Sequence, residues 1–257
     1  MSRNFALAIL AVSSILGLAV PVQAHFQELI PSADIVPESG SRTIQLDLAF
    51  THPMERGPVM AMGMPVRFGV LAGGKIKDLK AVLSPRSLEG KAAFTAAYTV
   101  DTPGDFIFFV EPAPYWEPAE NKWIIHFAKV VVDFGAGSGW DKLVGLPVEI
   151  EPLVRPYGLW TGNTFRGIVR KNGKPVPFAT VEVEWRNDGS VKAPSDPFIT
   201  QVVKADASGQ FAYSMPRSGW WGFNALVEAD KPLKTPNGKP APVEQGGLIW
   251  VHAVDMK

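Results

Sequence analysis

The chain has 257 residues, 25 basic and 25 acidic side chains, and no cysteine. A neutral chain offers no basic field for nucleic acid or anionic lipid. Without cysteine there is no disulfide staple and no thiolate metal ligand, and the length allows one large domain or two small ones.

The chain opens with Arg3, an apolar run from Phe5 to Val20, and the small-residue ending Pro21-Val22-Gln23-Ala24. This is the pattern of a secretory signal peptide, with cleavage expected after Ala24. The rival reading is an uncleaved anchor, for which the run is short against the ~20 residues a span needs. Cleavage makes residues 1–24 a leader, and the mature chain a soluble periplasmic protein beginning at His25. No later segment is apolar enough to span a bilayer.

Glycine and proline, 24 and 23 in number, are spread between short β-rich runs, and almost no window has a helical period. Strands are predicted over 43–50, 65–71, 93–100, 106–111 and 123–134. The pair 93–100 and 106–111 reads as a hairpin around Thr102-Pro103-Gly104-Asp105. A second unit begins near Glu151, with Pro152 and Pro156 as linker residues. Its strands are predicted over 165–170, 179–185, 200–205, 210–215, 220–229 and 247–254. The expected fold is all-β: an N-terminal β-sandwich over residues 25–151 and a C-terminal immunoglobulin-like β-sandwich over 152–257.

Histidine occurs four times, at His25, His52, His126 and His252. Cleavage frees the α-amine of His25 beside its own imidazole. Amine nitrogen and ring Nδ1 can then close a six-membered chelate on one metal ion. His52 follows Phe50 on the same strand parity, at the rim of an inward face. His126 alternates with Ala128, Val130, Val132 and Phe134, and reads equally as ligand or packed core residue. His252 shares a face with Leu248, Trp250 and Val254, where a structural role is favoured.

Met54, Met60, Met62 and Met64 follow His52. Thioethers suit Cu(I), and equally serve as gap-fillers. The run Gly219-Trp220-Trp221-Gly222-Phe223 suggests a carbohydrate platform or an interface between sandwiches. Neither a phosphate-cradling glycine loop nor a Gly-x-Ser-x-Gly elbow is present, and no carboxylate pair stands out, so the chain does not read as an enzyme.

Segment 165–183 and Asp206-Ala207-Ser208-Gly209-Gln210-Phe211 resemble the repeat-type sandwiches of secreted proteins. With Ala24-His25-Phe26, Phe50-Thr51-His52-Pro53 and Gly219-Trp220-Trp221-Gly222-Phe223, nearly the whole mature chain resembles a family of periplasmic components associated with energy-coupling-factor nickel and cobalt transporters. The resemblance implies capture of Ni2+ or Co2+ and delivery to a membrane-embedded transporter, with His25 and His52 matching the family's histidine segments and His126 and His252 matched less closely. Three alternatives stand beside it. They are a periplasmic copper carrier, a copper oxygenase using the N-terminal histidine, and a carbohydrate-binding or adhesion module.

Overall fold

The computed structural model describes residues 25–135 and 137–257. The expected leader, residues 1–24, lies outside the described residues. In chain order the strands are β1 Phe26–Pro31, β2 Thr43–Thr51, β3 Val59–Met60, β4 Arg67–Ala72, β5 Lys75–Asp78, β6 Ser84–Leu88, β7 Lys91–Thr99, β8 Gly104–Glu111, β9 Tyr115–Glu117 and β10 Lys122–Phe134. They continue as β11 Val148–Pro152, β12 Leu159–Trp160, β13 Thr164–Lys171, β14 Lys174–Pro175, β15 Thr180–Trp185, β16 Gln201–Lys204, β17 Gln210–Ser214, β18 Gly219–Glu228, β19 Leu233–Lys234, β20 Pro240–Ala241 and β21 Val243–Val254. The only helical pieces among the described residues are two 3-10 turns, at Lys80–Val82 and Asp196–Phe198. No described helix is long and apolar enough to cross a membrane.

The protein is all-β and forms two β-sandwiches. They share one ten-stranded sheet, with the path β16-β15-β18-β21-β10-β8-β4-β5. A sheet ordered β1-β2-β7-β6 packs on one half of it. The smaller sheet β11-β13-β14, with β17 on β13, packs on the other half. The alternation of β21 shows that these two partner sheets lie on opposite faces. Leu248 and Trp250 enter the first core, while Ile249, Val251 and Ala253 enter the second. Successive strand residues point to opposite faces, so a strand covered on both sides reads as the continuous apolar run Leu248–Val251.

The parallel pairing of β10 with β21, from Trp123 opposite Val243 to Val130 opposite Trp250, joins the two halves of the shared sheet. Glu151, where the units are expected to meet, lies inside β11, and β11 pairs along its length with β13. The hairpin predicted from 93–100 and 106–111 is not one. β7 pairs with β2 and β6, whereas β8 pairs with β4 and β10. Residues 100–103 instead carry the chain across the sandwich, so Phe94 and Ala96 share one core with Phe106 and Phe108 from the opposing sheet.

A third apolar cluster covers the outer face of β8 and β10 with Val144, Leu146 and Tyr157. Lys129 is buried in this layer and its Nζ donates to Glu149 Oε1 at 2.7 Å. The same carboxylate accepts the backbone N–H groups of Val144, Gly145 and Leu146. One buried carboxylate thus neutralises a lysine and fixes the turn preceding β11.

Two further glutamates are buried on β15. Burial pushes the Glu184 carboxyl up to about 8, against hydrogen bonds from Thr200 Oγ1 and the Met54 N–H. Burial, and then the charge of Glu244, push Glu182 up to about 7. Both groups hold a proton more tightly folded than unfolded, so stability should fall as pH rises from about 4.5 toward 8 and level off above. At 1.36 kcal/mol per pH unit, the Glu184 contribution is on the order of 5 kcal/mol. Urea unfolding from pH 5 to 9 should show this decline, flattened in Glu184→Gln. Equal slopes for the two proteins would remove Glu184 as its source.

Candidate metal centre

β1 and β2 are antiparallel, with Phe26 opposite Thr51 and Gln27 opposite Phe50. One step further along this register sets His25 opposite His52. Directly opposed residues share a face, and the two rings lie 4.7 Å apart between centroids. Both histidines are buried. Phe50 stacks on His25 at 5.5 Å, and Tyr115 closes the side at 6.0 Å.

Glu117, at the end of β9, accepts from His25 Nε2–H at 3.2 Å. That bond orients the ring and leaves Nδ1, the nitrogen beside the chain's own amide, for another partner. Burial, then the nearby His126, lower the His25 pKa; Glu117 and Glu120 oppose them. The net effect favours the neutral ring, the form that donates a lone pair to a metal.

His126 reaches this centre from β10, in the facing sheet. Its Nδ1 lies 2.6 Å from the carbonyl oxygen of His25. A carbonyl only accepts, so Nδ1 carries the hydrogen. Nε2 is turned away toward Glu244 Oε1 at 3.3 Å. Burial raises the Glu244 carboxyl, but the hydrogen bonds and charges of His126 and Lys122 outweigh it and hold it at about 2. His126 therefore grips the backbone of His25, and its ring meets Phe50 edge-on at 6.1 Å.

The pocket for the His126 ring is made by an absence of side chain. Gly246 lies opposite His126 in the β10–β21 register. A Cβ there would fall 2.5 Å from His126 Cδ2 and 2.3 Å from Asn224 Oδ1. Glycine inside a strand marks such a close approach.

His252 does not join the centre. It lies six residues beyond Gly246 on β21, about 20 Å away at strand rise. Its Nδ1 is 3.2 Å from Asp34 Oδ1, and its ring stacks on Trp220 at 4.8 Å. Of the four expected ligands the structure unites the rings of His25 and His52, supports them with His126, and leaves His252 apart. Among the described residues no three His, Asp or Glu side chains form a ready metal-ligand group.

The methionines after His52 do not converge either. Met54 is buried in the second core, Met60 and Met62 in the first, and Met64 is exposed. The tryptophan run is divided between faces, with Trp221 in the second core and Trp220 against His252. Gly222 in the same run makes room for Phe26, whose ring a Cβ there would meet at 2.9 Å. Phe26 also packs edge-on against Trp250, and the Trp250 indole N–H donates to the Gln27 carbonyl at 3.0 Å. The strand that carries His25 is thus seated against the β18 and β21 strands of the shared sheet. Glu117, His126, Asn224 and Gly246 complete its surroundings.

Fold and site together define a double β-sandwich protein with a buried histidine pair at the head of its first strand. Residues 22–229 match the family described as Domain of unknown function (DUF4198), and the chain belongs to that family. No curated protein matches the chain. Among solved structures it is similar to one of a 1.5-MDa bacterial ice-binding adhesin, at 11% identity over 91% of this chain and 66% of the other, with a TM-score of 0.26. It is also similar to a fragment of titin, at 7% identity over 84% of this chain and 60% of the other, with a TM-score of 0.21. The chain therefore spans less than two thirds of the length of either structure.

Proposed function

We propose that the protein, once cleaved before His25, is a periplasmic carrier that binds Ni2+ or Co2+ and passes it to a membrane-embedded transporter. The observation that carries this reading is the β1–β2 register, which sets His25 against His52 with the rings 4.7 Å apart. Two imidazoles alone make a weak site. A free α-amine on His25 adds a third nitrogen already attached to one of them, and this pre-organisation lowers the entropy lost on binding. Nitrogen donors of this kind suit borderline divalent ions.

Copper is the further candidate cargo. The same nitrogen set binds Cu2+ more tightly than Ni2+ by the Irving–Williams order. Of the methionines after His52, Met62 lines a pocket with Phe50, Tyr115 and His126. Intact-mass and metal analysis of the protein isolated from its native compartment tests the reading. The expected result is a chain starting at His25 that carries nickel or cobalt. A chain retaining residues before His25, or one free of nickel, cobalt and copper, contradicts it.

A further inference from the structure

The second sandwich contains an apolar cavity of about 180 Å³, none of whose lining residues is a histidine. Its inner wall includes Met54, Val183, Trp185 and Trp221, all buried. Phe198 and Arg217 stand at the exposed mouth. The indole N–H of Trp185 donates to the Ser218 carbonyl at 3.0 Å, and that of Trp221 to the Arg217 carbonyl at 2.9 Å. Both indoles have spent their polar atom on the backbone, so only ring surface remains for the cavity. The volume is comparable to the ~150 Å³ apolar cavities that take up benzene.

Arg217 sets the polarity of the opening. Its guanidinium lies over the Trp185 ring at 4.9 Å, and one nitrogen donates to Ser190 Oγ at 3.0 Å. Asp188 and Asp255 feel its charge from exposed positions, but neither forms an ion pair with it among the described residues. A stacked guanidinium keeps its remaining N–H groups in a planar fork, the geometry that recognises a carboxylate.

We infer that this cavity is a second binding site, for a small aromatic carboxylate whose ring enters between Trp185 and Trp221 and whose carboxylate meets Arg217. The inference is independent of metal binding. It is tested with phenylacetate as the probe, titrated into the full protein carrying 15N-labelled tryptophan. Two indole N–H resonances should shift saturably, with a dissociation constant of about 1 mM or tighter for a ligand of this size.

Ala193 also lines the cavity, in a partly exposed loop. Ala193→Trp fills the space and should abolish the shifts while the other indole signals stay in place. Arg217→Gln should weaken binding about tenfold, and neutral phenylacetamide should bind the native protein about tenfold more weakly than phenylacetate. Absence of saturable shifts, or full binding by Ala193→Trp, overturns the site. Equal binding of acid and amide overturns its preference for an anion.

Discussion

Adding one residue before His25 is expected to weaken Ni2+ and Co2+ binding by about a hundredfold, or ~2.7 kcal/mol. The added residue keeps the imidazole, its bond to Glu117 and its place opposite His52. It removes only the amine from beside the ring. His25→Ala makes the reverse change, keeping an amine and deleting the ring, and should cost at least as much. His52→Ala removes the facing ring and should also weaken binding substantially. Calorimetric titration of the processed protein and these variants checks all three. Affinity should fall in every case as pH drops through the range where amine and imidazole take up protons. An extended chain that binds every metal as tightly as the native N-terminus would show that the amine is not a ligand.

Glu149→Ala is expected to destabilise the fold by about 3–5 kcal/mol, the cost of breaking a buried ion pair from one side. Lys129 would be left charged in an apolar layer, and the N–H groups of Val144, Gly145 and Leu146 would lose their common acceptor. The double change Lys129→Met with Glu149→Met removes both charges and should recover part of the loss. Urea denaturation at neutral pH measures both variants. A loss below about 1 kcal/mol for Glu149→Ala would mean that water reaches the pair or that the turn re-forms without it.

The strands that alternate cleanly are legible in the sequence. Thr43–Phe50 shows its apolar face at every second residue, and the structure extends that strand by one residue to Thr51. β1 is not legible. Its sequence Phe-Gln-Glu-Leu-Ile-Pro has polar residues at Gln27 and Glu28, yet all six positions are buried. The burial comes from tertiary partners: the Gln27 amide donates to the Glu28 and Ala49 carbonyls, and Glu28 receives the Arg186 guanidinium. No local pattern announces such partners. The hairpin expected across 93–111 fails for a related reason. Its turn residues are real, but turn chemistry does not say whether a chain returns to the same sheet or crosses to the facing one.

The histidine pair shows the same division. His25 stands out through the cleavage pattern, and His52 through strand parity after Phe50. Their proximity depends on a strand absent from the sequence reading. His126 has the right parity, but its role as a donor to the His25 carbonyl follows from the facing of two sheets. Glu117 and Asn224 carry no signal in one sequence. Gly246-Gly247 inside the final strand does carry one, since paired glycines there mark close approach from neighbours. The neighbours prove to be His126 and Asn224 on one side and the Val148–Glu149 backbone on the other.

The pairing of β10 with β21 makes each half of this protein a structural dependant of the other. Division of the gene near codon 151 would strip β10 of its long parallel neighbour and β21 of its inner one, exposing the strand edges to any passing chain. The first half would also lose Leu248 and Trp250 from its core, and the second would lose Met54. Exchange of halves between distant relatives therefore demands matched seams on both strands.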